Sequence, residues 1–345
     1  MSEAAAPGAG SLDDRVVLVT GGTGSFGQKL VETLLQRHRP RKVVVFSRDE
    51  QKQYEMRRRF PEHAFEAVRF FLGDVRDRER LYRALDGVDV VVHAAALKQV
   101  EACEYNPLEA VRTNILGAAN LIDAAIDRNV GRVIALSTDK AVNPVNLYGA
   151  TKLTADKLFI GANNYSGAHG TRFGLVRYGN VVGSRGSVVP LFLDRRRTGT
   201  VPVTDPRMTR FWITLEQGVE FVLRALQRMQ GGEIFIPKIP SMNIMDLARA
   251  LAPDCGIEVV GARPGEKTHE VLVAEDDAPR TVEYDDHFVI HPAFHEWDED
   301  AFRHSAGGRR CPEGFRYGSD TNAAWLSVEE LRRVVGMEEE EPLAV

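Results

Sequence analysis

Two hydrophobic rhythms alternate through the first half of the chain. Arg15-Val-Val-Leu-Val-Thr20 is apolar and β-branched at successive positions, as in a strand covered on both faces, and residues 28–37 after it follow a helical period. Lys42-Val-Val-Val-Phe46, Phe70-Phe-Leu-Gly-Asp74-Val75, Val88-Asp-Val-Val-Val-His-Ala94-Ala95-Ala96 and residues 132–137 predict further strands. Helical stretches separate them, one holding Thr113-Asn114-Ile115-Leu116-Gly117 and another starting at Tyr148. This alternation to about residue 180 predicts an α/β fold with a doubly wound parallel sheet. After Val176-Arg177-Tyr178-Gly179-Asn180 the rhythm breaks at Gly183-Ser-Arg-Gly-Ser-Val-Val-Pro190. Short mixed elements follow, with helices near 215–229 and 244–251 and the strand-like Gly231-Gly232-Glu-Ile-Phe-Ile-Pro237. The expected division is a flexible leader (1–13), a cofactor domain (14–180), a smaller mixed C-terminal part that is mainly substrate-binding (181–335) and an acidic tail (336–345). Phe211, Trp212 and Phe221 are expected in the core.

Between the first strand and its helix lies Gly21-Gly22-Thr23-Gly24-Ser25-Phe26-Gly27. Glycines at 21, 24 and 27 let the backbone approach a pyrophosphate, and the helix N-terminus offers N–H groups and a partial positive charge. The domain therefore reads as Rossmann-like, with Gly21, Thr23, Gly24, Ser25, Phe26 and Gly27 as cofactor contacts. The second strand ends at Ser47-Arg48-Asp49, where the ribose of an adenosine would lie. An acid there suits a free 2′-hydroxyl, whereas Ser47 and Arg48, reinforced by Lys52, suit a 2′-phosphate, so NADP is expected over NAD. Arg57, Arg58 and Arg59 read as charges that solvate a helix. Asp74 and Val75 could face the adenine edge. Small Ala94, Ala95 and Ala96 leave room for cofactor, and Lys98 would point into the same crevice. Asn114, polar on an otherwise apolar helix face, reads either as a buried structural hydrogen bond or as a tether for backbone or a catalytic water.

Composition narrows the class without adding chemistry. The 345 residues are 43% hydrophobic and 27% charged, ordinary for a soluble globular protein, and the net charge of −5 gives no reason to expect nucleic acid. Cys103, Cys255 and Cys311 are scattered and form no Cys-x-x-Cys, which argues against a disulfide framework or zinc and for reduced thiols. No apolar stretch approaches the ~18 residues of a membrane helix, so a cytoplasmic protein without a membrane partner is expected.

The chemistry concentrates at Thr138-Asp139-Lys140 and Tyr148-x-x-x-Lys152. A phenol with a pKa of about 10 is a poor base, and a lysine one helical turn away can lower that value. Tyr148 and Lys152 are spaced to share a helix face near the carboxyl end of a strand, where open α/β sheets build their sites. The acid and amine of Asp139-Lys140 add a pair suited to elimination. Farther on, Arg185, Arg207, Arg210, Arg263 and Lys267 stand near glycine or proline turns, and together they suggest a phosphorylated substrate. His287, His291 and His295 are spaced as on a metal-binding helix, but Pro292 and the strand-like Phe288-Val-Ile argue against one, and no metal is expected.

Over about residues 14–335 the chain resembles the extended short-chain dehydrogenase/reductase superfamily, and within it the inverting UDP-N-acetylglucosamine 4,6-dehydratases of pseudaminic acid biosynthesis. The resemblance rests on Thr20-Gly-Gly-Thr-Gly-Ser-Phe-Gly27, Ala94-Ala-Ala-Leu-Lys98, Ser137-Thr-Asp-Lys-Ala141 and Asn146-Leu-Tyr-Gly-Ala-Thr-Lys152. It rests equally on Arg177-Tyr-Gly-Asn-Val-Val-Gly-Ser-Arg-Gly-Ser187, Arg207-Met-Thr-Arg-Phe-Trp-Ile213 and Arg263-Pro-Gly-Glu-Lys267.

The resemblance implies UDP-N-acetylglucosamine as substrate and a recycled NADP. Tyr148, helped by Lys152, would take the proton of the sugar's 4-hydroxyl as hydride leaves carbon 4. Lys140, if neutral, would take the proton of carbon 5, Asp139, if protonated, would give one to the departing 6-hydroxyl, and hydride would return to carbon 6. It also implies that Lys98, Asn180, Val181, Arg210, Arg263 and Glu266 lie near the UDP-sugar, and that the protein is a homo-oligomer. A UDP-sugar 4-epimerase shares Tyr-x-x-x-Lys but has no use for Asp139-Lys140. A non-catalytic nucleotide sensor would use neither.

Overall fold

The computed structural model describes residues 12–61, 63–183, 188–294 and 307–337. Strands β1 (Val16–Thr20), β2 (Lys42–Ser47), β3 (Val68–Leu72), β4 (Val90–His93), β5 (Arg132–Thr138) and β6 (Arg172–Tyr178) alternate with helices. These helices are α1 (Ser25–Arg37), α2 (Glu50–Arg59), α3 (Arg78–Ala84), α4 (Val100–Tyr105), α5 (Pro107–Ala110), α6 (Gly117–Asp127) and α7 (Leu147–Ala162). A π-helical turn, Val111–Leu116, runs directly into α6. Later come β7 (Asn180–Val181), α8 (Val188–Arg195), β8 (Thr200–Val203), β9 (Thr209–Ile213), α9 (Leu215–Arg228) and β10 (Ile234–Pro237). They are followed by β11 (Ser241–Asn243), α10 (Ile244–Leu251), β12 (Gly256–Val259), β13 (Val271–Val273), β14 (Thr281–Glu283), β15 (His287–Ile290), β16 (Arg309–Arg310) and β17 (Tyr317–Gly318).

Among the described residues ten strands form one sheet, in the order β16-β14-β15-β10-β6-β5-β4-β1-β2-β3. From β3 to β10 every neighbouring pair is parallel, and β15, β14 and β16 continue the sheet antiparallel. The strand order reverses between β1 and β4, and a doubly wound sheet opens its crevice at such a switch point. Every residue of β1 is buried, as its uninterrupted apolar run requires when helices cover both faces.

The sheet crosses the expected boundary at residue 180, because β10, β14, β15 and β16 come from beyond it. The later residues do build a second core, in which Val201, Val203, Trp212, Leu247, Leu251 and Leu331 pack together. On β9 Phe211 faces the large core and Trp212 the small one, the two-residue period of a strand laid between two packed layers. β4 ends before the alanines, because the Ala94 and Ala95 N–H groups turn to the Thr20 hydroxyl. Asn114 is a tether: its side chain accepts from Leu97 N–H at 2.8 Å and donates to the Leu97 carbonyl at 2.9 Å and to Thr151 Oγ1 at 3.0 Å.

His93 at the end of β4 lies 2.8 Å from Thr20 Oγ1 and is buried. Burial, aided by the charge of Lys152, pushes it down to about 3. The unfolded chain therefore binds this proton first, and stability is lost as pH falls below about 6.5 towards the folded value, by up to ~1.4 kcal/mol per pH unit. His93→Asn should flatten the acid dependence of the urea midpoint in that window. Equal slopes for variant and parent would refute the assignment.

Candidate active site

The crevice starts at the glycine loop. The N-cap of α1, Gly24, makes no side-chain cap bond and its first turn carries no acid, whereas α2, α3 and α7 are capped by Asp49, Asp77 and Asn146. The leading N–H groups of α1 are thus kept for an anion. A Cβ on Gly27 would lie 2.5 Å from Gly22 Cα and 2.6 Å from the Gly21 carbonyl oxygen, so only a bare backbone lets helix and loop meet this closely. These features fit a dinucleotide pyrophosphate.

From the loop a crevice of about 1130 Å³ runs across the carboxyl ends of the strands. That exceeds the ~300–1,000 Å³ of a site for one small ligand and leaves room for cofactor and substrate together. Gly21, Thr23, Gly24, Ser25, Phe26, Gly27, Ser47, Arg48, Lys52, Asp74, Val75, Ala94, Ala95, Ala96 and Lys98 all line it. So do Asn180, Val181, Arg210, Arg263 and Glu266 at the far end.

At the adenosine end the cations have acids of their own. Arg48 lies 3.7 Å from Asp74, and Lys52 lies 2.6 Å from Asp49. Partial burial opposes ionisation of Asp74, but hydrogen bonds from Arg76 and the charges of Arg76 and Arg48 hold its carboxyl below the ordinary value. Ser47 is buried and its hydroxyl accepts from Gln53 at 3.1 Å.

β5 delivers the chemistry at the centre. It ends at Thr138, and a tight turn, Asp139–Ala141, follows. Thr138 Oγ1 donates to Asp139 Oδ1 at 2.9 Å, and Lys140 Nζ donates to the same oxygen at 3.0 Å and to Asn180 Oδ1 at 3.3 Å. Asp139 is wholly buried beneath Lys140, and its Oδ2 has no hydrogen-bond partner among the described residues. Lys140 itself faces the crevice.

Surrounding charge and burial hold Lys140 and Tyr148 away from the forms their expected roles use. Burial works to lower Lys140, yet the carboxylates of Asp139 and Glu270 outweigh it and hold the amine above its ordinary value, as ammonium rather than neutral. Burial pushes Tyr148 up to about 12, while the Lys140 charge and a Thr138 hydrogen bond pull the other way. Lys152 is buried and donates one hydrogen bond to the Leu136 carbonyl at 2.7 Å. Four methylenes carry its ammonium past the neighbouring turn to the β5 backbone.

Of the basic groups expected around an anion, Arg210, Arg263 and Lys267 line the crevice. Arg207 does not: its side chain is 77% exposed and pairs with Asp205 at 2.6 Å. Arg185 lies outside the described residues. His287 pairs with Asp286 at 2.7 Å and stacks on Tyr284, His291 follows β15, and His295 lies outside the described residues. No group of residues able to hold a metal is found among those described. The sequence reading missed Glu270, a buried carboxylate 3.5 Å from Lys140. Its signal was close at hand, since Lys267-Thr-His-Glu270 continues a motif already singled out.

Fold and site together define an extended short-chain dehydrogenase/reductase with an amine and a phenol lining the cofactor crevice and an acid buried against the amine. The chain belongs to the family described as polysaccharide biosynthesis protein, which matches residues 17–292. It is 53% identical to a UDP-N-acetylglucosamine 4,6-dehydratase (inverting) of Campylobacter jejuni over 92% of this chain and 96% of that one. It is 41% identical to a UDP-glucose 4-epimerase of Rickettsia canadensis over 80% of this chain and 83% of that one. Among solved structures, Pen from Bacillus thuringiensis matches with a TM-score of 0.85 and 38% identity, over 94% of this chain and 98% of that one. DesIV of Streptomyces venezuelae, a dTDP-glucose 4,6-dehydratase, shares the fold at 22% identity and a TM-score of 0.65, over 86% of this chain and 92% of that one.

Proposed function

We propose that this protein is a UDP-N-acetylglucosamine 4,6-dehydratase that inverts carbon 5, giving a UDP-2-acetamido-2,6-dideoxy-L-arabino-hexos-4-ulose. The observation that carries the reading is the Asp139–Lys140 hydrogen bond of 3.0 Å, with Lys140 and Tyr148 both lining the crevice and Asp139 buried beside the amine. An epimerase has no task for that pair.

The pair holds one exchangeable proton. As an ion pair it rests on Lys140 Nζ; passed across the hydrogen bond to Asp139 Oδ1, it leaves a neutral amine and a protonated acid. Those are the two forms that elimination asks for, reached without a proton from outside. Lys140 Nζ then takes the carbon-5 proton, and Asp139 gives its own to the 6-hydroxyl, which leaves as water. Tyr148 takes the proton of the 4-hydroxyl as the phenolate, the form that the Lys140 charge and the Thr138 hydrogen bond favour, and a proton delivered to the opposite face of carbon 5 as hydride reaches carbon 6 completes the inversion.

The cofactor is a nicotinamide dinucleotide, and we assign it as NADP, held by the glycine loop with Ser47, Arg48 and Lys52 at the 2′-phosphate. When bound, it stores the electrons of carbon 4 until carbon 6 needs them. Arg48 is half exposed and its link to Asp74 is long, so it is free to turn to a phosphate. Arg48→Asp should lower the NADP-over-NAD binding ratio by about tenfold to a hundredfold, the worth of one charge-assisted hydrogen bond. An unchanged ratio in titrations with both cofactors would place the phosphate elsewhere.

The assignment extends to a cytoplasmic homo-oligomer working in pseudaminic acid synthesis. Mass spectrometry after incubation with UDP-N-acetylglucosamine tests the core of it. Loss of one water supports the dehydratase, an isomer of equal mass would make the protein an epimerase, and unchanged substrate would leave only a binding role. Proton NMR of the product in deuterated water then reads the configuration at carbon 5.

A further inference from the structure

Glu270 lies at the base of the substrate end, one residue before β13, and the mechanism above gives it no step. Its backbone is fixed on both sides by Ser319: the Glu270 N–H donates to Ser319 Oγ at 2.9 Å, and the Ser319 N–H donates to the Glu270 carbonyl at 2.8 Å. The carboxylate is buried, and it meets only cations. Oε1 lies 3.5 Å from Lys140 Nζ and 3.9 Å from Arg210 Nε, and Oε2 lies 3.8 Å from Lys267 Nζ. All three separations exceed a direct hydrogen bond, and Oε2 has no hydrogen-bond partner among the described residues. Glu270 therefore works on its neighbours by charge rather than by directed contact.

On this basis, and resting on the dehydratase reading, we infer that Glu270 is a positioning residue for the elimination. Its carboxylate is divided between Lys140 and Lys267, and that division sets how strongly Lys140 holds the proton it takes from carbon 5.

The charges around Lys140 make the inference specific. Asp139 comes from its own turn, Glu270 and Lys267 from the segment leading into β13, Arg210 from β9, Lys98 from the loop after β4 and the Tyr148 phenol from α7. Asp139 gives up its charge when it takes the proton that lets it act as the acid. From that moment Glu270 is the one carboxylate among the described residues left within ion-pair distance of Lys140. The ammonium that forms during proton abstraction is then stabilised by a group that neither moves nor reacts, the arrangement that lowers a barrier most. Lys267 competes for the same carboxylate and is itself anchored, donating to the Val142 carbonyl at 2.5 Å.

Two substitutions of opposite charge give opposite signs. Glu270→Gln keeps the size and removes the negative charge, so both limbs of the kcat–pH profile, which belong to the coupled Asp139–Lys140 pair, should move to lower pH by about one unit or more. The turnover at neutral pH should fall about tenfold or more, and exchange of the carbon-5 proton with deuterated water should slow with it. Lys267→Met frees the carboxylate for Lys140 and should move both limbs to higher pH. Glu270→Asp should restore part of the shift. All are measured at saturating UDP-N-acetylglucosamine with the cofactor-loaded enzyme.

Unshifted limbs in Glu270→Gln, or shifts of the same sign in Glu270→Gln and Lys267→Met, would overturn the inference while leaving the dehydratase reading intact. If Glu270→Gln does not fold, the upward shift in Lys267→Met and its reduction in the double variant Glu270→Asp, Lys267→Met decide the matter, and an undiminished shift would overturn the inference. Failure of the parent enzyme to release water would instead remove the reading on which the inference rests.

Discussion

Lys140→Met is expected to abolish release of water from UDP-N-acetylglucosamine while leaving the cofactor bound. The methionine keeps the length of the side chain but can neither take the carbon-5 proton nor hand one to Asp139. Loss of a positioned general base costs about 10²–10⁴ in rate, and here the loss also strands the acid, so the upper part of that range is expected. The ammonium lies between Asp139 at 3.0 Å and Glu270 at 3.5 Å, and its removal leaves two carboxyl groups facing each other. The lysine side chain is 26% exposed, so water softens the loss of the buried pair and the variant should fold. The readout is product mass against time, together with the reduced-nicotinamide absorbance of the enzyme mixed with substrate. Absorbance that rises and persists, without loss of water, places Lys140 after the oxidation. Turnover within tenfold of the parent would refute its role as base.

Gly149→Ala should damage the same chemistry by a different route. Alanine is the better helix former by about 1 kcal/mol, and on a free helix surface it would stabilise α7. Here a Cβ would sit 2.1 Å from the Lys140 carbonyl oxygen and 3.0 Å from Pro144 Cβ. The first of these atoms is backbone, so the helix and the Asp139–Ala141 turn must move apart. Such overpacking costs about 1–3 kcal/mol, which cancels or outweighs the helix gain. Tyr148 precedes this glycine and Lys140 supplies the obstructing carbonyl, so the displacement falls between the two reacting groups. Misplacement by about 1 Å can cost about a hundredfold in turnover. A kcat lowered by that order, with KM and cofactor affinity little changed, is the expected result. A fully active Gly149→Ala protein would show that the close approach of α7 to the turn has no part in catalysis.

Legibility followed sequence distance. The Gly21, Gly24 and Gly27 spacing after an apolar strand, the strand–helix alternation and the Tyr148–Lys152 pair are patterns within a few residues of one another, and the structure places every one of these residues at the crevice. The end of the cofactor domain was less legible. A strand such as β10 carries the same apolar signature whether it closes a small domain or joins the parallel sheet beside β6. Arg207 and Arg210 stand three residues apart in one motif, yet one faces solvent and the other reaches Glu270, because strand and turn aim their side chains differently.

The residues themselves, through short-range periodicity and spacing, settled the Rossmann-like architecture, the nucleotide loop and the presence of an acid, an amine and a phenol near one strand end. The folded arrangement alone decided what surrounds those groups. Glu270, from a distant segment, adds to Asp139 in holding Lys140 above its ordinary value, burial pushes Tyr148 up, and Lys152 is turned to a backbone carbonyl. Periodicity is a property of neighbours along the chain. Desolvation and charge proximity are properties of neighbours in space, and they exist only once the chain has closed on itself.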